Sequence, residues 1–229
     1  MWSKVGRAED CVRQILDGAS IMMGGFGMCG IPENLIRLLV EHGAKNLTIV
    51  SNNAGIADFG IGLLINAGQV KRMVSTYVGE NPNLEKAMID GTIEVELVPQ
   101  GTFAERLRAA GAGIAGFYTP TGVGTIVEEG KEKRVFRGRE YLLEQPLSAD
   151  FAFIKGWKGD EVGNVVYRKT ARNFHPMMAA AAEKTFAEVE ELVKPGKLDP
   201  ETIATPGVFV DVIFQGETYE KRIEKRVHR

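Results

Sequence analysis

Short apolar segments alternate with helix-like patterns along this 229-residue chain, and this alternation limits the fold more than any other feature. Residues 19–23 are largely apolar, and residues 33–42 place Leu35, Ile36 and Leu39 on one helical face. Further apolar runs occupy residues 47–51, 71–78, 93–98, 151–154 and 208–214. Strands that alternate with helices are typical of parallel sheets. The sequence therefore predicts an open, mostly parallel α/β sheet flanked by helices.

The remaining patterns complete the predicted fold. Residues 133–143 surround Arg137-Gly138 and are expected to form a small peripheral antiparallel hairpin. Other helices are expected at residues 7–16, 84–89, 176–184 and from a cap at Thr102 to residue 110. No linker divides the chain, so a single domain is expected over residues 1–216. Residues 217–229 form a polar, basic tail, either a solvated end or an arm to a partner.

A glycine-rich segment joins the first strand to the helix that follows it. Its members are Gly24, Gly25, Phe26, Gly27, Met28, Cys29 and Gly30. The spacing of its glycines matches a dinucleotide-binding fingerprint, which also requires an acidic residue at the end of the second strand. That position holds Asn52-Asn53, and Pro32 stands in the turn that would approach a pyrophosphate. A carboxylate, thioester or phosphate ligand at the loop N–H groups and helix start is therefore favoured over NAD, and a tight turn without a ligand remains possible.

Neutral amides follow two of the predicted strands. Asn52 and Asn53 follow the second strand directly, and Gln100 follows the fourth strand in a Pro-Gln-Gly turn. Since open α/β sheets bind ligands at the carboxyl ends of their strands, these amides are expected to meet the glycine loop at one edge. Amides can bind carboxylates and carbonyl oxygens without a titrating group, although each could instead bond its own backbone in a turn. Together they favour a site for an acyl group.

No convincing nucleophile accompanies these amides. The chain lacks a nucleophile elbow, and its three histidines have no metal-ligand spacing, so no metal site is expected. Cys29 has no histidine placed by a motif as its base, and a structural thiol is the simpler interpretation. Glu80 is the best internal carboxylate candidate, against the alternative of a surface acid on a loop. The sequence therefore predicts a binding edge without a catalytic residue of its own.

Bulk properties exclude several classes of function. The 28 basic and 30 acidic residues nearly balance, which argues against nucleic acid as the main partner. No apolar run approaches the ~20 residues that a membrane-spanning helix needs. The two cysteines form no disulfide framework, and the first residues lack the apolar core of a signal peptide. A soluble protein of the cytoplasm, without a membrane partner, is the expectation.

Several blocks of the sequence resemble family I coenzyme A transferases, in particular the A subunits that serve 3-oxoacids. They are Gly-Phe-Gly-Met-Cys-Gly-Ile-Pro-Glu-Asn-Leu-Ile at 25–36, Ser-Asn-Asn-Ala-Gly at 51–55, Val-Pro-Gln-Gly-Thr at 98–102, Gly-Phe-Tyr-Thr-Pro-Thr-Gly-Val-Gly-Thr at 116–125 and Ala-Arg-Asn-Phe at 171–174. The resemblance covers essentially the whole chain. It implies the open α/β fold that these enzymes share with sugar-phosphate isomerases.

The resemblance also implies a reaction and a partner. A glutamate attacks an acyl-CoA such as succinyl-CoA, an acyl-glutamyl anhydride and then an enzyme–CoA thioester form, and a 3-oxoacid such as acetoacetate accepts the CoA. In the family this glutamate belongs to a Ser-Glu-Asn-Gly motif of the B half, which is absent here; Gly-Glu-Asn-Pro at 79–82 is not equivalent. A B subunit is therefore implied, in a heterotetramer of two A and two B chains. CoA is a substrate, and no permanent cofactor is expected.

The same resemblance assigns roles to the candidate residues. Residues 24–30 would contact CoA, although the loop could instead shape the acyl pocket or pack against the partner. Asn52, Asn53 and Gln100 would bind the substrate carboxylate or an oxyanion. Two alternatives remain open. One is an acetate- or butyrate-type CoA-transferase subunit, and the other is a non-catalytic module of the same fold that binds acyl-CoA or a sugar phosphate.

Overall fold

The computed structural model describes residues 3–222. Six α-helices lie in this part of the chain: α1 Ala8–Val12, α2 Glu33–His42, α3 Gly62–Asn66, α4 Pro82–Ile89, α5 Gln100–Gly111 and α6 His175–Ala181. The strands are β1 Ser20–Met23, β2 Leu47–Val50, β3 Val70–Ser75, β4 Glu94–Leu97, β5 Phe117–Thr119, β6 Lys133–Phe136, β7 Arg139–Glu144, β8 Ala149–Asp160, β9 Val165–Val166, β10 Ala182–Val193 and β11 Val212–Gln215. None of these helices is long and apolar enough to span a membrane.

One large sheet organises the molecule. Its strand order is β11-β10-β8-β1-β2-β3-β4, all parallel, and the short β9 adds an antiparallel pair to β8. The predicted open, mostly parallel α/β sheet is therefore confirmed. Since the strands run in one direction, the loops that follow β1, β2, β3 and β4 all leave the same edge of the sheet. That edge carries the glycine loop and the amides.

Strand β1 lies at the centre because its side chains are apolar on both faces. Ile21, Met22 and Met23 are fully buried. Ile21 and Met23 join the core beneath α2, and Met22 joins the core beneath α5 and α6. Each of these buried aliphatic side chains contributes about 1.5–3 kcal/mol to the stability of the fold, so both faces of the strand must be covered.

Helix α2 follows the predicted boundaries, residues 33–42. Gly43 ends it in a left-handed conformation (φ 79°), which only glycine adopts without strain. The predicted hairpin at residues 133–143 is also present as β6 and β7. A third strand, β5, joins it in a separate antiparallel sheet of order β5-β7-β6.

Other predicted boundaries are wrong. The helix expected over 176–184 stops at Ala181, and the chain continues as the long strand β10, which the sequence did not indicate. Its Glu-rich sequence has little strand character, but pairing with β8 and β11 on its two sides overrides that local preference. Helix α3 was also missed. Helix α5 begins at Gln100 after Pro99, so Thr102 is a buried helical residue and not the cap.

The described part of the tail lies against its own chain. The backbone N–H groups of Glu220 and Lys221 donate to the Glu33 carboxylate at 2.8 and 3.1 Å. Arg222 pairs with Asp58 at 3.0 Å. Residues 223–229 lie outside the described residues, and the domain boundary after residue 216 stays a prediction.

Candidate functional site

A cleft of about 580 Å³ opens at the carboxyl edge of the sheet, between the loops after β1, β2 and β3 and the start of α5. Its lining residues are Phe26, Gly27, Asn52, Asn53, Thr76, Tyr77, Glu80 and Gln100. The structure thus brings all three predicted amides together with part of the glycine loop. Thr76 and Tyr77 are the lining residues that the sequence did not indicate.

Asn52 is the centre of the amide network. It is buried, and its Oδ1 accepts hydrogen bonds from Thr76 Oγ1 and from Gln100 Nε2, each at 2.9 Å. In this arrangement the amide oxygen faces Thr76 and Gln100. The Nδ2 group makes no hydrogen bond to a residue in the described range 3–222. Asn52 therefore keeps two donors for a ligand, and Gln100 holds them in place.

The backbone of Asn52 also positions the neighbouring loop. Its carbonyl oxygen accepts from the N–H groups of Thr76 and Tyr77, at 3.1 and 3.2 Å, and from Ser75 Oγ at 2.9 Å. The loops after β2 and β3 are therefore joined at the floor of the cleft. A rigid floor is what a binding site for a small acyl group requires.

Asn53 contributes an amide without a structural partner. Only 4% of the residue is exposed, yet its side chain makes no hydrogen bond to any described residue. The turn-residue alternative, in which each Asn bonds its own backbone, therefore does not describe this pair. A nearly buried amide that lines a cleft and lacks an internal partner is available for a carboxylate or carbonyl oxygen.

Glu80 is the one carboxylate among the described residues that line the cleft. It is exposed and lies in the left-handed region (φ 72°). The next residue, Asn81, is fully buried and caps α4: its Oδ1 accepts from Asn83 N and Leu84 N, and its Nδ2 donates to Ala54 O at 3.1 Å. Asn81 thereby fixes the loop that carries Glu80.

The glycine loop has its own internal hydrogen bonds. Phe26 and Cys29 exchange two backbone bonds, at 3.1 and 3.0 Å, which closes a tight hairpin. Gly25 N donates to Asn173 Oδ1, and Asn173 Nδ2 donates to Cys29 O, both at 3.1 Å. The N–H groups of Gly25, Phe26 and Cys29 are therefore occupied. The expectation that the loop N–H groups bind an anion is wrong for these three.

A buried histidine explains two of the loop glycines. A Cβ on Gly24 would lie 1.9 Å from His175 Nδ1, and one on Gly30 would lie 2.9 Å from Ala171 O and 3.1 Å from His175 Nε2. His175 Nδ1 accepts from Lys155 N at 3.3 Å, so Nε2 carries the proton and donates to Gly30 O at 2.9 Å. Burial lowers the pKa of His175 to about 3 and keeps it neutral. Close packing inside the chain thus requires glycine at both positions.

The start of α2 is likewise occupied by the chain itself. Glu188 of β10 is fully buried, and its carboxylate accepts from Asn34 N, Asn34 Nδ2 and Leu35 N at 2.8–3.3 Å. Burial raises the pKa of Glu188 to about 7, against the lowering effect of these donors. The donors at this helix start, which the sequence analysis left for a ligand anion, are therefore already bonded to the Glu188 carboxyl group of the same chain.

The hairpin of the glycine loop separates two cavities. Phe26 and Gly27 line the cleft that holds the three amides, the amide cleft. Met28, Cys29 and Gly30 line a smaller cavity of about 210 Å³, whose charged lining residues are Arg168, Lys155, Lys221, Arg222, Glu33 and Glu190. Cys29 is a free thiol 3.4 Å from Thr170 Oγ1. Residues 24–30 as a CoA contact stay a prediction. No cluster of metal ligands occurs within residues 3–222.

Comparison with known proteins decides the family. A family model described as coenzyme A transferase matches residues 5–216.

The chain belongs to the coenzyme A transferase family.

Its relatives in this family include single subunits and longer chains. The A subunit of a probable succinyl-CoA:3-ketoacid coenzyme A transferase of Bacillus subtilis is 52% identical over 99% of this chain and 95% of its own. The mitochondrial succinyl-CoA:3-ketoacid coenzyme A transferase 2 of Homo sapiens is 50% identical over 94% of this chain but 45% of its own. An acyl-CoA transferase of Escherichia coli O157:H7, solved as a thioester complex with CoA, is 25% identical with a TM-score of 0.81, over 92% of this chain and 46% of its own. This family member thus spans about half the length of the human and E. coli proteins.

The chain is therefore a CoA-transferase subunit of the A type, as the sequence blocks predicted. Its cleft contains the residues of three of those blocks: the glycine loop, the Asn52-Asn53 pair and Gln100. A fourth block, at residues 171–174, contacts the glycine loop through the two hydrogen bonds of the Asn173 side chain with Gly25 N and Cys29 O.

Proposed function

We propose that this chain is the A subunit of a 3-oxoacid CoA-transferase, which moves CoA from succinyl-CoA to a 3-oxoacid such as acetoacetate. The names of relatives at 50–52% identity support this substrate pair. The observation that carries the proposal is the amide cleft, since succinate and 3-oxoacids both present carboxylates and acyl groups. Asn52 Nδ2 and the Asn53 amide can donate to these oxygens, and Gln100 orients Asn52.

The cleft supports acyl transfer without supplying the attacking group. Each acyl transfer develops negative charge on a carbonyl oxygen, and fixed donors lower the barrier; loss of one such donor costs about 2.7–4 kcal/mol in other enzymes. Among the described lining residues there is no cysteine or serine, and Glu80 is the single carboxylate. Glu80 is exposed, so water would hydrolyse an anhydride or thioester formed there unless another surface covered it. In the family the nucleophilic glutamate belongs to a Ser-Glu-Asn-Gly motif that this sequence lacks, so we assign it to a partner B subunit that closes the cleft.

The proposal includes an assembly and a location. Two A and two B subunits form the enzyme, with CoA as a substrate and no permanently bound cofactor. The free thiols Cys11 and Cys29 support the reducing setting of the cytoplasm.

The decisive test measures CoA transfer from succinyl-CoA to acetoacetate by the isolated B subunit, by the isolated chain described above and by the complex of the two. We expect only the complex to be active, and neither isolated subunit. The complex that carries Glu80→Gln should retain at least a tenth of the wild-type activity. Activity of the isolated chain, abolished by Glu80→Gln, would show that the nucleophile lies here and would overturn the division of labour.

Two alternatives make different predictions in the same experiment. An acetate- or butyrate-type transferase would use those acids as acceptors at a higher kcat/KM than acetoacetate. A non-catalytic module would bind an acyl-CoA or a phosphorylated sugar in calorimetry, while the complex stayed inactive with every acceptor. Transfer to acetoacetate at the highest kcat/KM supports the 3-oxoacid assignment.

A further inference from the structure

We propose that the three cations of residues 168–172 bind the phosphate groups of CoA while its thioester lies in the amide cleft. We call residues 168–172 the basic turn. The basic turn contains Arg168, Lys169 and Arg172 and immediately precedes Asn173. This inference rests on the proposed function, because it names where the far end of the same substrate is held.

The charges of the basic turn are available. Arg168, Lys169 and Arg172 are all exposed, and none forms an ion pair with another residue in the range 3–222. Nearby cations differ, because Lys155 and Lys221 both pair with Glu190. The basic turn thus places three exposed cations without an ion-pair partner in the range 3–222 within five residues, on a chain with a net charge of −2. Such a group attracts a multiply charged anion, and arginine can bind phosphate with two parallel hydrogen bonds.

The basic turn is held in a defined conformation. Lys169 lies in the left-handed region (φ 53°), which residues other than glycine adopt only under strain. The Arg168 guanidinium lies over the Trp157 ring, 5.6 Å from its centre. Thr170 contacts Cys29, and Thr170 O accepts from Asn173 Nδ2 at 3.3 Å. The turn and the glycine loop are therefore one connected unit, and the cations are held beside the loop.

The position of the basic turn matches the shape of CoA. Arg168 lines the smaller cavity on one side of the glycine hairpin, and the amides line the cleft on the other side. Phe26 and Cys29, which face the two cavities, form a backbone pair, so their Cα atoms are only about 5 Å apart. CoA carries its thioester at one end of a long pantetheine arm and its phosphates at the other. The arm can cross the hairpin, with the thioester at Asn53 and the phosphates at the basic turn.

The test uses the complex of this chain with its B subunit. The triple variant Arg168→Gln, Lys169→Gln, Arg172→Gln removes the cations, and Lys71→Gln, Lys86→Gln, Lys197→Gln removes three exposed, unpaired cations elsewhere as a charge-matched control. The kinetic constants are measured for succinyl-CoA and for succinyl-pantetheine, which has no phosphate. Calorimetry with CoA, dephospho-CoA and inorganic phosphate separates recognition of the whole nucleotide from attraction of any phosphate.

We expect the triple variant to raise KM for succinyl-CoA about tenfold, because each exposed charge pair contributes a factor of about 2–5. Its kcat/KM for succinyl-pantetheine should stay within about twofold, and the control variant should match wild type with both substrates. An unchanged KM for succinyl-CoA would overturn the proposal while leaving the proposed function intact. An equal loss with both substrates, or loss of the complex in gel filtration, would also overturn it and would assign the cations to the partner interface. Transfer by wild type to no 3-oxoacid would count against the proposed function alone, provided that CoA still binds.

Discussion

Gly24 offers the sharpest test of how this site is built. A methyl group at Gly24 would lie 1.9 Å from His175 Nδ1 and 2.0 Å from Cε1, whereas ordinary contacts begin near 3.4 Å. In the Gly24→Ala variant, the ring of His175 must therefore move by about 1.5 Å. Such a shift breaks the hydrogen bonds of His175 with Lys155 N, at 3.3 Å, and with Gly30 O, at 2.9 Å.

The expected cost of Gly24→Ala follows from these two losses. Overpacking a buried site costs about 1–3 kcal/mol, and each buried polar group left without a partner costs about 1–3 kcal/mol. We expect the free energy of unfolding to fall by about 3–9 kcal/mol, a large part of the 5–15 kcal/mol typical of a domain. Urea denaturation followed by circular dichroism measures this change, with Gly101→Ala as the control, because a Cβ on Gly101 would meet no atom within 4 Å.

A double-mutant cycle separates the clash from a general sensitivity of the loop. In a His175→Ala background the ring is absent, so Gly24→Ala should cost less than about 1 kcal/mol. A cost of Gly24→Ala below 1 kcal/mol in the wild-type background, or an undiminished cost without the ring, would refute the packing argument. A ligand that needs close approach to Gly24 would then be the better explanation of this glycine.

Three further predictions concern Asn53 and the buried titrating groups Glu188 and His175. Asn53→Ala should reduce kcat/KM of the complex by about 100-fold and change the free energy of unfolding by less than about 0.5 kcal/mol. Asn81→Ala, which removes the cap of α4, should instead lower the free energy of unfolding by about 1–2 kcal/mol. Equal stability losses of the two variants in urea would contradict the assignment of Asn53 to the ligand. Because burial raises the pKa of Glu188 to about 7, the folded chain binds a proton that the unfolded chain has lost between pH 4.5 and 7. The free energy of unfolding of wild type, relative to that of Glu188→Gln, should therefore fall by up to about 1.4 kcal/mol per pH unit as the pH rises through this range. A difference between the two proteins that does not change with pH in urea titrations would contradict this prediction. Burial lowers the pKa of His175 to about 3, so between pH 6.5 and 3 the unfolded chain binds a proton that the folded chain does not. Wild type should therefore lose stability relative to His175→Gln as the pH falls through this range, which is the opposite pH dependence to that of Glu188. A gain in stability relative to His175→Gln would contradict this prediction.

Local signals predicted the central part of the fold well. Helix α2 has an apolar face, and Gly43 stops it, so its boundaries depend on neighbouring residues alone. Strand β1 is apolar enough to require burial on both faces, and this places it in the middle of a parallel sheet. The position of Asn52, Asn53 and Gln100 at one edge followed, because parallel strands end on the same side.

Long-range contacts decided what the sequence could not show. Strand β10 has a helix-like composition, and only its pairing with β8 and β11 makes it extended. Glu188 of that strand reaches the start of α2, 154 residues away in sequence, and fills the position that local reasoning left for a ligand anion. No pattern of neighbouring residues carries this information.

Residue types within short segments were sufficient to predict the sheet, the edge at which the three amides meet, the chemical character of those amides and the family. Propensity and chain direction dominate at that scale. Three-dimensional packing was needed to show which glycines make room for His175 and which donors remain for a ligand. Those outcomes depend on atoms from distant segments competing for the same space and the same hydrogen bonds, and contacts at ångström distances settle that competition.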